Sequence, residues 1–92
     1  MSEATVEGIL RIRNKKGLHA RAAASFVRVV DQYDAVVTAD RDGKSVSGSS
    51  IMGLMMLGAA MGEEIHVVCT GAQAQEAFNA LENLVNEKFY ED

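Results

Sequence analysis

Two residues with the chemistry to handle an anion, His19 and Arg21, lie where the sequence predicts the start of a helix. An imidazole is a nucleophile near neutral pH and can take a phosphoryl group on a ring nitrogen. A guanidinium group donates paired hydrogen bonds to phosphate oxygens. The pair therefore indicates an anion site with the option of covalent chemistry on the histidine. A surface histidine at a poorly capped helix is the alternative interpretation.

The helix that carries these residues, Ala20–Val30, breaks the usual rules for a first turn. A helix N-terminus exposes free N–H groups and partial positive charge, so it normally takes Ser, Thr, Asp or Asn as its cap and acids just after it. Here His19 takes the cap position, Arg21 lies in the first turn, and no acid follows before Asp31. A cation at that end costs a few tenths of a kcal/mol to roughly 1 kcal/mol. A bound anion would remove the conflict.

A second candidate segment, residues 49–57, combines two serines with a methionine-rich run. Ser49 or Ser50 is a good N-cap for a short helix. Because so short a helix cannot bury its whole circumference, we expect Met52 and Met55 to be exposed as an adaptable docking surface. A deep helix whose methionines fill gaps in the core is an equal alternative. A phosphate on Ser50 would be stabilised by the helix end and would place about −2 charge beside this surface.

The other reactive side chains give weaker signals. His66 lies between Ile65 and Val67, whose side chains are expected to face inward, which predicts a solvated strand histidine. Cys69 follows the same alternation and is expected to be a small buried hydrophobe rather than a nucleophile. Two histidines and one cysteine so widely spaced form no metal-ligand pattern. We therefore expect neither a metal nor a cofactor.

The elements that must position these residues follow from hydrophobic periodicity and turn signals. Helical spacing predicts helices at 20–30, 51–57 and 74–88, and β patterns predict strands at 5–13, 35–39, 44–47 and 64–70. Asp42-Gly43 is a strong hairpin signal between the second and third strands. The order β-α-β-β-α-β-α predicts an α+β domain, with helices covering one face of a small antiparallel sheet.

The composition describes one small domain spanning residues 1–92, with 48% hydrophobic and 24% charged residues. Residues 1–30 carry a net charge of +4 and residues 31–92 a net charge of −8, which indicates a local anion or partner site rather than nucleic-acid binding. The longest apolar run, residues 51–62, is too short to span a bilayer, so we expect no membrane insertion. A single cysteine and a start without a signal peptide favour the cytoplasm.

Two motifs carry a resemblance to a known family. Residues 17–21, Gly-Leu-His-Ala-Arg, resemble the active-site motif of HPr, the phosphocarrier of the bacterial phosphotransferase system. Residues 49–55, Ser-Ser-Ile-Met-Gly-Leu-Met, resemble the regulatory-serine segment of the same family. The spacing between the motifs is the spacing that the family requires. Tyr33-Asp34-Ala35, the Gly62 turn and the final helix also fit, so the resemblance covers essentially the whole chain.

The resemblance implies an open-faced β-sandwich, in which a four-stranded antiparallel sheet is covered on one face by three helices. It implies that His19 accepts a phosphoryl group from enzyme I and passes it to a histidine of an EIIA-type protein. The chain would then be a covalent carrier and not an enzyme. Arg21 and the N–H groups of Ala20 and Arg21 would hold the phosphate.

The resemblance also implies where partners dock. An HPr kinase/phosphorylase would modify Ser50 and so regulate docking. The chain is expected to act as a monomer. Six residues would form the surface shared by successive partners: Ala20, Ala24, Arg28, Ile51, Met52 and Met55.

One position departs from the family pattern. Most members have proline directly after the arginine, and this chain has Ala22, which keeps the helix but frees one more N–H group. This substitution, the Ser-rich approach to Ser50 and the acidic end of the chain are similar to HPr-type proteins of nitrogen-linked regulatory branches. The main functional alternative is a regulatory module that binds an anion or a partner at the helix end without covalent chemistry. An interaction protein that uses only the methionine patch is a third interpretation.

Overall fold

The computed structural model describes residues 4–91 and contains one four-stranded sheet and three α-helices. The order along the chain is the predicted β-α-β-β-α-β-α, followed by a short turn at Lys88–Tyr90. The elements are β1 (Ala4–Arg11), α1 (Ala20–Val30), β2 (Val36–Arg41), β3 (Lys44–Ser47), α2 (Ile51–Met56), β4 (Glu64–Gly71) and α3 (Ala74–Asn86).

The sheet is antiparallel throughout, with the strand order β1-β4-β2-β3. β4 lies between β1 and β2, and its residues alternate strictly between the two faces of the sheet. Ile65, Val67 and Cys69 are buried against the helices. The side chains between them, including His66, face the uncovered side. The predicted open-faced sandwich is therefore confirmed.

The helices cover a single face of this sheet and bury their apolar stripes against it. Phe26 of α1, Leu54 of α2 and Leu81 of α3 have no exposed surface. Burying a side chain of this size stabilises the fold by about 1.5–3 kcal/mol. The periodic positions predicted for the last helix, Ala77, Leu81, Leu84 and Val85, are all buried. No helix within the described part of the chain is long and apolar enough to cross a membrane.

The bounds of the elements differ from prediction mainly where tertiary contacts intervene. β1 ends at Arg11 rather than at residue 13, although the Ile12 N–H still donates to the Glu63 carbonyl at 2.8 Å. β2 is shifted toward the hairpin, whose turn has Asp42 and Gly43 at φ 51° and 80°, as the Asp-Gly signal predicted. α1 has the predicted bounds residue for residue.

The end of α3 is the clearest correction. The helix was predicted to continue to residue 88, but it ends at Asn86. Lys88, Phe89 and Tyr90 then take left-handed conformations, with φ of 57°, 56° and 58°. Three consecutive residues with positive φ cannot continue a right-handed helix. The chain therefore turns back toward the start of α1 instead of running on into solvent.

Candidate functional site

The loop before α1 is fixed by close backbone packing. The Leu18 N–H donates to the Ala59 carbonyl at 2.9 Å, and the Leu18 side chain is buried. Gly17 has φ +65°, and a Cβ atom there would lie 2.5 Å from the Ala59 oxygen. Glycine is required at this position for both reasons. These contacts therefore fix the position of His19 at the start of α1.

His19 is the N-cap residue of α1, as predicted. Its backbone is extended, with φ −80° and ψ −178°, and its carbonyl accepts the first helical hydrogen bond from the Ala23 N–H at 2.8 Å. Its side chain makes no capping hydrogen bond, and the first turn contains no acid. The N–H groups of the first turn are thus not engaged by the cap side chain and can receive an anion.

The imidazole of His19 is held instead by a carboxylate from the end of the chain. Nε2 lies 2.9 Å from Oε1 and 3.0 Å from Oε2 of Glu91. The Glu91 side chain is only 8% exposed, whereas that of His19 is 25% exposed. A carboxylate can only accept, so Nε2 is the nitrogen that carries the hydrogen. In the tautomer that this contact selects, the lone pair is on Nδ1.

The left-handed turn after α3 brings Glu91 to this position. Phe89 is buried, and the Tyr90 hydroxyl accepts a hydrogen bond from Asn83 Nδ2 at 3.0 Å. The Tyr90 N–H donates to the Glu87 carbonyl at 2.9 Å. Together these contacts hold the end of the chain against the body of the protein.

Asn14 contacts both the loop before α1, at Gly17, and the C-terminal segment, at Glu91. Its side chain is fully buried, and Nδ2 donates to the Gly17 carbonyl at 2.7 Å. The same nitrogen lies 3.4 Å from Oε2 of Glu91. Oδ1 finds no hydrogen-bond partner within residues 4–91. Asn14 thus connects the loop that carries His19 to the segment that carries Glu91.

The cationic part of the predicted site is exposed. Arg21 lies on the surface of the first turn of α1 and forms no ion pair with another described residue. Arg28 is also exposed and donates to Ser25 Oγ at 3.1 Å. Ala20 is exposed and Ala24 is half-buried. Residues 20, 24 and 28 are spaced to share one face of the helix.

α2 packs beside α1 and carries the methionine surface. Ser50, not Ser49, is its N-cap, and Ser50 Oγ accepts a hydrogen bond from the Gly53 N–H at 2.9 Å. Ile51, Met52 and Met55 are exposed, Met52 to 74%. The alternative in which the methionines fill the core is therefore wrong for this helix. Leucines 54 and 57 take the core positions instead.

The side chains predicted to be inert lie away from this site. Cys69 is buried, and burial raises the pKa of its thiol to about 11. The described residues contain no group of three or more side chains suited to hold a metal. A surface depression of about 590 Å³ lies beside His66 and does not include His19. That depression therefore lies apart from the histidine at the start of α1.

His66 is more strongly engaged than the predicted solvated histidine. Nε2 lies 2.8 Å from Oε1 of Glu7, and Nδ1 lies 3.3 Å from Oδ2 of Asp40. These hydrogen bonds, that to Glu7 first, raise the pKa of His66 above its usual 6.5. The cluster lies on the uncovered side of the sheet, where β1 and β2 flank β4.

The sequence singles out His19, Arg21 and Ser50 as candidate site residues, whereas the structure adds Asn14 and Glu91 as neighbours of His19. In the sequence, Asn14 directly follows the predicted first strand, and Glu91 is one of the acids at the end of the chain. The sequence separation between His19 and Glu91 is 72 residues. The available signal was Phe89, a large apolar residue just past the helix, which indicates a tail that returns to the core.

The structure is an open-faced sandwich with a half-buried histidine at the N-terminus of α1, and comparisons with known proteins identify the family. A family profile described as the PTS HPr component phosphorylation site matches residues 6–87. The chain is 48% identical over 83 residues to a phosphocarrier protein HPr of Pseudomonas aeruginosa, across 89% of this chain and 92% of that one.

Solved structures of HPr proteins have the same fold as this chain. A crystal structure of an HPr from Thermoanaerobacter tengcongensis superposes with a TM-score of 0.83 at 39% identity, covering 100% of this chain and 99% of that one. A dimeric HPr structure from the same organism gives a TM-score of 0.73, also at 39% identity, over 87% and 92% of the chains. The chain belongs to the HPr family of phosphocarrier proteins of the phosphotransferase system.

The His66 cluster generates a prediction about pH. Because its folded pKa is raised, protonated His66 adds stability that is fully present below pH 6.5 and is lost as the pH rises through the folded pKa. We expect the His66 ring-proton NMR titration to have its midpoint above 6.5 in wild type and a lower midpoint in Glu7→Gln. Equal midpoints in the two proteins would show that the ion pair does not form in solution. Thermal unfolding measured between about pH 5 and 9 should show the corresponding loss of stability in wild type, and His66→Gln should remove this part of the pH dependence.

Proposed function

We propose that this protein carries phosphoryl groups on His19, accepting them from enzyme I and passing them to a histidine of an EIIA-type protein. The observation that carries the proposal is the difference between the surroundings of the two ring nitrogens of His19. One nitrogen is held by Glu91, and the other keeps its lone pair at an uncapped helix N-terminus. A nucleophile and an anion site therefore coincide on the surface of the protein.

The chemistry is an exchange of one nitrogen–phosphorus bond for another. The Nδ1 lone pair forms the new bond to phosphorus while the bond to the donor histidine of enzyme I breaks, and its electron pair stays on that histidine. The proton on Nε2 is not transferred. Transfer to the acceptor repeats the exchange with His19 as the leaving group. The chain is the acceptor substrate in the first exchange and the donor substrate in the second, so we assign it as a carrier and not as a catalyst.

The start of α1 is suited to hold the phosphoryl oxygens. Nδ1 is the ring nitrogen closer to the backbone, so a phosphoryl group on it would lie near the N–H groups of Ala20 and Arg21. These N–H groups and the exposed Arg21 guanidinium would bind its oxygens and stabilise their charge. Arg21, which is unfavourable beside an empty helix end, becomes favourable beside an occupied one.

The exposed faces of α1 and α2 form the proposed docking surface. Ala20, Ala24 and Arg28 lie along α1, and Ile51, Met52 and Met55 lie on α2 beside it. Small and flexible apolar side chains can fit successive partners with different surfaces. Acidic partner surfaces would pair with Arg21 and Arg28, which favours fast and selective encounter.

Ser50 is the proposed regulatory site, modified by an HPr kinase/phosphorylase. It lies directly before Ile51 and Met52 and caps α2. A phosphate there would stay at the helix N-terminus, where it is electrostatically favourable. Its charge would also lie against any apolar or acidic partner surface seated on α2, and it would weaken docking.

The proposal assigns the protein to the cytoplasm and to action as a monomer. The described residues bury their apolar stripes within one sheet-and-helix unit, so a second copy is not needed to complete the core. Assignment to a nitrogen-related branch stays a prediction from Ala22 and the acidic tail.

Phosphorylation by enzyme I tests the central step. With labelled phosphoenolpyruvate and enzyme I, we expect acid-labile, alkali-stable label on the peptide that contains His19. His19→Ala should lose all label because the nucleophile is gone, and His66→Ala should retain it. Label retained in His19→Ala would contradict the assignment. An unlabelled wild-type chain, with enzyme I active on a control carrier, would favour the non-covalent regulatory module.

A charge at Ser50 tests the docking surface. Ser50→Asp should raise KM for enzyme I on the order of tenfold, equivalent to about 1.4 kcal/mol of docking energy, with kcat little changed. The matched control is Ser49→Asp, which adds the same charge one residue away from the cap. Steady-state phosphorylation kinetics measure both variants. Equal KM values for Ser50→Asp and wild type would remove Ser50 from the docking surface.

A further inference from the structure

We infer that Glu91 and Asn14 are positioning residues for phosphoryl transfer, acting as an Asn14–Glu91–His19 chain that fixes the ring and balances the charge it gains. This inference rests on the proposed carrier function of His19. It adds two residues from opposite ends of the chain to a site that the sequence motif limits to residues 17–21.

The first step is the contact between Glu91 and His19. Both carboxylate oxygens lie within hydrogen-bond distance of Nε2, at 2.9 and 3.0 Å. This contact fixes the hydrogen on Nε2 and limits rotation of the ring. The nucleophilic nitrogen is therefore chosen before a partner arrives. A ring free to rotate or change tautomer would present the correct nitrogen only part of the time.

The second step is the charge that develops during transfer. When the Nδ1 lone pair bonds to phosphorus and Nε2 keeps its hydrogen, the ring becomes positively charged. The Glu91 carboxylate lies against the opposite side of that ring and is largely buried. A fixed negative charge in a poorly solvated position stabilises the developing cation more than water does. Glu91 does not need to accept the proton to have this effect.

The third step is the position of Glu91 itself. A nearly buried carboxylate needs donors, and Asn14 Nδ2 lies 3.4 Å from Oε2, the oxygen that also lies 3.0 Å from His19 Nε2. Asn14 is fixed by its 2.7 Å hydrogen bond to the Gly17 carbonyl, two residues before His19. The Asn14 side-chain amide therefore contacts both the loop that carries His19 and the Glu91 carboxylate, which itself contacts the His19 ring.

The contact between Glu91 and His19 depends on the conformation of the C-terminal segment, residues 87–91. Phe89 is buried in the hydrophobic core, and the left-handed turn at residues 88–90 comes just before Glu91. Exposed acids of the same tail, such as Glu87, do not share this placement. Glu87 therefore provides a matched control with the same charge on the same segment.

Glu91→Gln tests the charge, because the amide oxygen can still accept from Nε2 but carries no negative charge. We expect kcat for phosphorylation by enzyme I to fall ten- to a hundredfold with KM unchanged, since the docking surface is intact. Glu87→Gln should behave as wild type. A wild-type kcat in Glu91→Gln would overturn the electrostatic role while leaving His19 phosphorylation, and so the proposed function, intact.

NMR of the His19 ring provides a readout that does not depend on enzyme I. The Nε2-bound proton should be visible in wild type because Glu91 protects it from exchange with water, and it should be lost in Glu91→Ala. Glu87→Ala should leave it visible. A proton that persists in Glu91→Ala, or is absent from wild type, would show that the contact does not position the ring.

A double-mutant cycle tests whether Asn14 acts through Glu91. Asn14→Ala should lower kcat severalfold in the wild-type background and have little further effect in Glu91→Ala. Equal effects in both backgrounds would mean that Asn14 supports only the loop through Gly17, which would overturn its place in the chain. Because Asn14 is buried, thermal unfolding of each variant must show that it is folded at the assay temperature. If Asn14→Ala is not, Asn14→Asp is used, and the repulsion it introduces should be relieved in Glu91→Gln.

Discussion

The packing of the 14–18 loop against the Ala59 carbonyl is the constraint on which the site depends. The Leu18 N–H bonds to that carbonyl, and Gly17 approaches it too closely for any side chain. The buried Leu18 side chain ties the same loop to the core. α1 therefore begins at a fixed place, and His19 has an extended backbone that presents its ring at the helix end.

The site also shows how stability and function are divided in a small domain. α1 lacks a side-chain cap and an acidic first turn, and it carries Arg21 where a cation is unfavourable. Its stability comes instead from Ala22, Ala23, Phe26 and Val30, which are buried along its inner face. The helix can leave its N-terminus available because packing, not capping, holds it in place.

The local parts of this structure were predictable, and the long-range parts were not. α1 and the Asp42-Gly43 hairpin follow from periodicity and turn chemistry within about ten residues, and both appear as predicted. The end of α3 was missed because helix propensity favours continuing through Glu87 and Lys88, whereas burial of Phe89 requires the chain to turn back. The exposure of Met52 could be inferred from helix length alone. The contact between Glu91 and His19 depends on how two chain ends meet after folding, and no local pattern encodes it.

A carrier domain has to combine an accessible reactive atom with a fixed orientation. Enclosing His19 in a cavity would fix the ring but exclude the protein partners, while a fully exposed ring would be free to rotate. The C-terminal segment resolves the conflict because Glu91 contacts only Nε2, the ring nitrogen farther from the backbone. Asn14 in turn lies next to the Glu91 carboxylate. No side chain of the described residues caps the N–H groups at the start of α1. In the proposed phosphorylation of His19, the same contact would place negative charge beside a ring that gains positive charge, so orientation and charge balance would have one structural source.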